Sequence, residues 1–247
     1  MQMNQPGTKL TKILESLEDL YGKQKAAGPN TPYEMIVFLL CGYPASDASC
    51  AKGFDALRRE VGVSPKELLA APKARLAKCM RTGGIVPELR AQRLKEIARE
   101  VTDRFGGDLM VVLKQKLTEE ERQTGKGIRE AKKVLQEFPT IGEPSAERIL
   151  LFAKLVPAAA VPSAHLHVPI RLFVGEEGKN YAKDYRAARE FLSAALPETF
   201  EARQKAYLLL KKHGQEICKR SKPKCEVCPL TSRCAYIQAK AGDSHVE

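Results

Sequence analysis

Apolar residues recur at helical spacing along nearly the whole chain, and no stretch shows the period-two alternation of a half-buried strand. Between Thr11 and Tyr21, the side chains of Ile13, Leu14, Leu17 and Leu20 fall on one helical face. Thr31-Pro32-Tyr33-Glu34 has the form of a capping box with proline at the first helical position, and it opens an apolar helix over Met35–Cys41. Ser64-Pro65-Lys66-Glu67 repeats that device ahead of Leu68 and Leu69. Further helices are predicted over Asp47–Val61, Pro72–Met80, Pro87–Phe105, Ile128–Phe138, Pro144–Lys154, Tyr185–Leu196 and Phe200–Lys219. Val156–Pro169 is proline-rich. Leu117–Arg129, strongly charged and carrying Gly125 and Gly127, reads as a solvated helix and loop and as a candidate insertion. Short helices with brief connections predict an all-α fold.

The 247 residues suffice for one large domain or two modest ones. No apolar run reaches the roughly 20 residues of a membrane span, and Met1–Pro6 lacks the basic-then-apolar pattern of a secretory signal. The expected location is the cytoplasm, at the nucleoid, where seven cysteines would stay reduced rather than form a disulfide framework. Charge sharpens the picture: 41 Lys+Arg against 30 Asp+Glu leaves a formal net charge of +11. A polyanionic partner explains such an excess, and so does a merely basic, well-solvated surface. Its distribution is more telling, because Lys205, Lys211, Lys212, Lys219, Arg220, Lys222 and Lys224 share their segment with a single acid, Glu216.

Cys41, Cys50 and Cys79 are scattered through helical patterns and read as small packed groups. The other four fall together as Cys218-x6-Cys225-x2-Cys228-x5-Cys234. Four thiolates on one compact loop can ligate the four irons of a cubane cluster, one each. Structural zinc is the alternative, although it usually wants two knuckles and only Cys225/Cys228 form one. Between the first two ligands lie Lys219, Arg220, Lys222 and Lys224. A basic loop pinned at both ends loses little entropy on meeting a phosphate; a cluster that only staples this region is equally compatible.

Phe138-Pro139-Thr140-Ile141-Gly142 joins two predicted helices, and taken alone is a helix connection. Placed ahead of the cysteine cluster, it resembles the L-P-G-V-G hairpin of the endonuclease III-like helix-hairpin-helix DNA glycosylases, with Thr140 at the first hairpin glycine. The cysteine spacing is that of endonuclease III and its adenine-glycosylase relatives, and Cys228-Pro229-Leu230 is similar to their third-cysteine context. Leu40–Asp47 resembles the family's L-L-S-A-Q-A-T-D segment, and Tyr207–Cys218 its run into the cluster. The resemblance implies a two-domain all-α fold with a DNA cleft between the domains. One is a six-helix barrel with the hairpin over residues 31–157; the other is a helical cluster domain built from residues 1–30 and 158–247. It further implies a [4Fe–4S] cluster on Cys218, Cys225, Cys228 and Cys234, and lesion-containing double-stranded DNA as the partner of a monomer. Pro139, Thr140, Ile141, Gly142 and Ser145 would offer backbone N–H groups and a helix's positive end to a phosphate. Tyr43, Lys219, Arg220, Lys222 and Lys224 would add contacts.

The catalytic pattern of that family is not reproduced. Its members flip a damaged base from the duplex and cut the N-glycosidic bond, through an oxocarbenium-like sugar that a carboxylate stabilises. Bifunctional members add a lysine nucleophile two residues after the final hairpin glycine; here the residues are Gly142-Glu143-Pro144. The family's V-D-T-H-x-x-R-V stretch corresponds to Val161-Pro162-Ser163-Ala164-His165-Leu166-His167-Val168 followed by Arg171, so the aspartate position is Pro162 or, shifted by one, Ser163. The glutamine that fills the flipped base's space corresponds to Pro44, beside Tyr43. Glu143 is a candidate replacement carboxylate, and Ser163 with His165 or His167 could position a water. Against these stand structural roles: Glu143 favours the start of its helix through the dipole, and the histidines pack or hold phosphate. The expectation is a base-excision-repair glycosylase-like protein without β-lyase activity. A DNA-binding homologue that has lost the chemistry is the alternative. A cluster-based redox protein is a third reading, against which the basic loop and the hairpin argue.

Overall fold

The computed structural model describes residues 6–42 and 46–243. Its first helix, α1 (Pro6–Tyr21), buries Leu10, Ile13, Leu14 and Leu17 on the face that the sequence spacing predicts. The chain divides into two compact units, one of residues 27–156 and one that joins the residues up to 26 with those from 157 onward. Among the described residues there is no strand.

The unit of residues 27–156 contains α2 (Pro32–Gly42), α3 (Asp47–Glu60), α4 (Pro65–Ala70), α5 (Lys73–Met80), α6 (Pro87–Phe105), α7 (Leu109–Lys116), α8 (Glu119–Gln123), α9 (Lys126–Gln136) and α10 (Glu143–Phe152). The Ser64 capping box forms: Glu67 N donates to Ser64 Oγ at 3.3 Å and Ser64 N to Glu67 Oε2 at 2.9 Å. At α2, Thr31 Oγ1 donates to Glu34 Oε2 at 3.1 Å. The apolar helix α2 is buried from Met35 through Gly42, as a helix apolar on every side must be.

The charged stretch before α9 contains a solvated helix, α8, which buries none of its residues, but its second glycine is packed. Thr118 caps α8, with Glu121 N donating to its Oγ1 at 3.4 Å, and Gly127 is buried in α9. A Cβ on Gly127 would lie 2.2 Å from the Lys116 carbonyl oxygen, so this glycine is there for close packing and not for a loose loop. Asp108 caps α7 through Met110 N at 2.9 Å, an N-terminus signal that the sequence reading passes over.

The second unit packs α1 against α12 (Tyr181–Ala195) and α13 (Phe200–Glu216), with α11 (His167–Phe173) on α12, α13 and α14 (Ala235–Asp243). Its core joins the α1 face to Val161, Val168, Ile170, Leu172, Tyr185, Leu192, Leu209, Leu210 and Leu230. α11 begins in the last residues of the stretch read as proline-rich, Val156–Pro169, and runs on past it. Six of its seven residues are buried, including His167 and Arg171, so it shows no amphipathic period to read. No helix among the described residues is long and apolar enough to cross a membrane.

Candidate nucleic-acid interface and metal centre

The hairpin turn between α9 and α10 is anchored by two buried apolar side chains, Phe138 and Ile141, and closed by Ile141 N donating to Phe138 O at 3.2 Å. Ile141 therefore supports the turn from inside. Thr140 and Gly142 are exposed, with Pro139 and Ser145 half-buried. Thr140 sits at φ 72°, in the left-handed region that favours glycine and penalises a β-branched residue. Gly142 is the N-cap of α10, its carbonyl accepting from Ala146 N at 3.0 Å. The first turn of a helix directs N–H groups outward with a positive end, although Pro144 contributes none. Thr140→Gly should relieve the backbone strain and raise the unfolding free energy by about 1 kcal/mol in urea titrations. Lower stability in that variant would show that the Thr140 side chain makes a compensating contact.

Three ion pairs fix α10. Lys132 Nζ of α9 lies 2.5 Å from Glu143 Oε1 and 2.8 Å from Glu147 Oε1, and Glu147 is buried. Arg148 binds Asp47 in a two-pronged pair, at 3.2 and 2.9 Å, which ties α10 to the first residue of α3. The carboxylate candidate Glu143 is thus already engaged by an ammonium. Tyr43 and Pro44 lie outside the described residues.

The segment just before them is braced by a loop without any signal in the sequence reading. A Cβ on Gly83 would stand 2.0 Å from the Cys41 carbonyl oxygen, so only glycine permits this approach. Buried Arg90 donates to Leu40 O and, at 2.7 Å, to Ile85 O. The result is a loop pressed on the end of α2 that holds Ile85 78% exposed, beside Val86 at φ 51°. An exposed isoleucine next to a strained valine is a costly arrangement on a merely structural turn.

In the other unit, Ser163–His165 forms a 3₁₀ turn, with His165 N donating to Pro162 O at 2.9 Å. Pro162 is buried, and Ser163 and His165 are half-buried. His165 packs on Gly214 of α13, where a Cβ would come 2.7 Å from its Nδ1. His167 is buried and donates through Nε2 to Cys218 O at 2.7 Å; burial lowers its pKa. Its Nδ1 has no hydrogen-bond partner among the described residues. Glu143 and the Ser163–His165 turn belong to different units.

The four clustered cysteines are set by two 3₁₀ turns, Cys225–Val227 and Thr231–Arg233, after the end of α13. Cys218 N donates to His213 O at 2.9 Å, Cys228 N to Cys225 O at 3.2 Å and Cys234 N to Thr231 O at 3.3 Å. All four line one cavity, together with Arg171, His213 and Tyr236, whose empty space, counting the part open to solvent, is about 360 Å³. Among the described residues no three His, Cys, Asp or Glu side chains converge as a single-ion site. Burial pushes the Cys218 thiol up to about 11 and raises Cys225 and Cys228, with neighbouring cysteines adding to each shift. Such thiols gain from a cationic centre that accepts them as thiolates. Four cysteine sulfurs lining one cavity are the donor set that an iron–sulfur cluster takes.

Two buried side chains shape this cavity, and the sequence reading assigns them no such role. Arg171 Nη1 lies 3.8 Å from Cys218 Sγ and donates to Lys219 O at 2.9 Å, while Nη2 donates to Arg220 O at 2.8 Å. Its guanidinium also sits 5.2 Å from the Tyr236 ring centroid. His213 Nδ1 is 3.1 Å from Tyr21 Oη and its Nε2 is 3.7 Å from Cys228 Sγ. Burial lowers its pKa to about 4, so the ring is neutral at pH 7. The loop that Arg171 clamps presents Lys219, Lys222 and Lys224 to solvent, with Lys224 N donating to Ile217 O at 3.0 Å. Arg220 is exposed too, but Nη2 is paired with Glu177 Oε1 at 2.6 Å.

No family model matches the chain. Over 202 residues it is 24% identical to an endonuclease III of Treponema pallidum (strain Nichols), covering 82% of each chain. Over 175 residues it is 26% identical to a thymine/uracil-DNA glycosylase of Methanothermobacter thermautotrophicus, covering 70% of this chain and 68% of that one. Among solved structures, a trapped endonuclease III–DNA covalent intermediate superposes with a TM-score of 0.72 at 18% identity, covering 98% of this chain and 100% of the other. A thermostable thymine-DNA glycosylase gives 0.70 at 20% identity, covering 94% and 97%.

Proposed function

We propose that the chain is a member of the endonuclease III-like helix-hairpin-helix superfamily of DNA glycosylases, that it binds lesion-containing double-stranded DNA as a monomer, at the nucleoid, and that it cleaves the N-glycosidic bond of a damaged or mismatched base without β-lyase activity. The observation that carries the reading is Thr140. An exposed threonine held at φ 72° costs about 1–2 kcal/mol. Such strain persists where the turn's shape serves a purpose, here the presentation of the α10 start to a backbone phosphate. Ile85, projecting from its braced loop beside the end of α2, is the apolar wedge we assign to the opened base stack. Lys219, Lys222 and Lys224 supply further phosphate contacts on the loop that Arg171 clamps.

We assign the [4Fe–4S] cluster to Cys218, Cys225, Cys228 and Cys234. When bound, it ties four points of the chain into one rigid body and needs no electron transfer to do so. The lysine position of bifunctional relatives is Pro144, which has no amine. Lys132 does not replace it, because an ammonium held between two carboxylates is no nucleophile. Glu143, on the first turn of α10 and oriented by Lys132, takes the part of the carboxylate that stabilises positive charge on the sugar.

A second reading, DNA binding without catalysis, is favoured by the paired prolines at 144 and 162, which leave both usual functional positions without a side-chain acid or base. Single-turnover incubation with labelled duplexes carrying uracil, thymine glycol, hypoxanthine, 8-oxoguanine, alkylated purines or an abasic site separates the two. Strand breaks that appear only after alkali, with no borohydride-trapped adduct, are the expected result. Intact strands from every duplex that carries a base lesion, with tight binding retained, would establish the second reading.

A further inference from the structure

Away from the cysteine cavity but in the same unit, Lys9, Lys12, Ser232, Arg233 and Gln238 line a second cavity, with about 710 Å³ of space counting the part open to solvent. Lys9 and Lys12 stand three residues apart on α1 and so share a face. Arg233 and Ser232 come from the 3₁₀ turn that leads into Cys234. Gln238 is on α14, its Nε2 donating to Ser232 O at 3.3 Å, which ties that helix to the turn. The lining groups are two ammoniums, a guanidinium, a hydroxyl and an amide, with no acid among them.

Several cations elsewhere in the protein pair with carboxylates, among them Lys132, Arg148, Lys205, Lys212 and Arg220. Lys9, Lys12 and Arg233 face this cavity with no carboxylate in its lining. Three like charges around one concavity repel each other, and a shared anion with several acceptor oxygens removes that cost. We propose that this cavity binds a phosphate of the DNA backbone, through residues distinct from those of the hairpin and of the basic loop. The inference rests on the DNA-binding reading and extends its footprint. Arg233 hangs from the same cysteine-spaced segment, residues 218–234, as Lys219, Lys222 and Lys224, so that segment contributes to both cationic surfaces.

The test uses the full chain with its cluster, comparing the unaltered protein with Lys12→Gln and with Lys12→Gln/Arg233→Gln. Binding of a labelled duplex is followed by anisotropy across a range of KCl. Each lost phosphate contact should flatten the slope of log K against log salt by about 0.9 and weaken binding about fivefold near 0.15 M salt. Iron content and circular dichroism should not change, and Lys12→Gln, on an exposed helix face, carries the test if the Arg233 substitution disturbs the cluster. An unchanged slope in both variants, with salt-dependent binding intact in the parent, overturns this inference alone. Failure of the parent to bind duplex at low salt overturns the DNA-binding reading and this inference together. Inorganic phosphate, added without DNA, reads the other source. If it raises the melting temperature of the parent but not of the double variant while the duplex slope stays the same, the cavity is a free-phosphate site and the backbone assignment falls.

Discussion

Alanine in place of Cys225 should give a colourless protein that has lost its iron and binds duplex at least about tenfold more weakly than the brown parent, which should carry about four irons per chain. Cys225 opens one of the two short turns that bring the sulfurs around one cavity. Removing one of four ligands leaves an open, labile site. The remaining thiols, raised in pKa by burial, then revert to neutral groups around an apolar void. Lys224, the residue before Cys225, is otherwise tied back by its N–H to Ile217 O. With that end released, Lys219, Lys222 and Lys224 must be ordered again at each binding event, which costs affinity without removing a single charge. Iron analysis, visible absorption and anisotropy read the three parts of this result. A parent protein that is colourless and holds one zinc would refute the cluster assignment.

Lys132→Ala should lower the unfolding free energy by about 3 kcal/mol, because it leaves the Glu147 carboxylate buried without its ammonium. The double variant Lys132→Ala/Glu147→Gln should recover most of that loss, since no charge then remains buried. Urea titrations of the two single variants and the double variant close the cycle. The same substitution frees Glu143 from its partner. If Glu143 serves the sugar cation, the single-turnover rate falls in Lys132→Ala and is not restored in the double variant, although stability is. Full recovery of both would reduce Lys132 to a stability residue.

The hairpin, the cysteine spacing and the basic loop were legible because each depends on residues close in sequence. The Ser64-Pro65-Lys66-Glu67 signature likewise closes on itself within one turn, and the capping box forms as read. What stayed hidden depends on contacts across long separations. Arg171 meets Cys218, Lys219 and Arg220 over more than 40 positions. His213 finds Tyr21 across 192. α11 escaped because burial on nearly all sides erases the amphipathic period. The Ile85 loop escaped because exposure of an apolar side chain cannot be told from a sequence that buries most of its other isoleucines. Glu143 shows the opposite case. Its place on the first turn of α10 was plain, but its engagement with Lys132, eleven residues earlier, needed the packing of two helices.

The unit of residues 27–156 interrupts the other unit, whose core needs both α1 and the helices that follow residue 156. On the ribosome the interrupting unit can complete itself as soon as it emerges. The apolar stripe of Leu10, Ile13, Leu14 and Leu17 must meanwhile wait for α12 and α13, the first of which begins about 160 residues after α1 ends. At roughly 5–20 residues per second that wait is on the order of ten seconds or more. The four clustered cysteines follow later still, so the cluster proposed for them can form only after the helices around them have been made, on a chain whose first helix has by then long kept its apolar face uncovered.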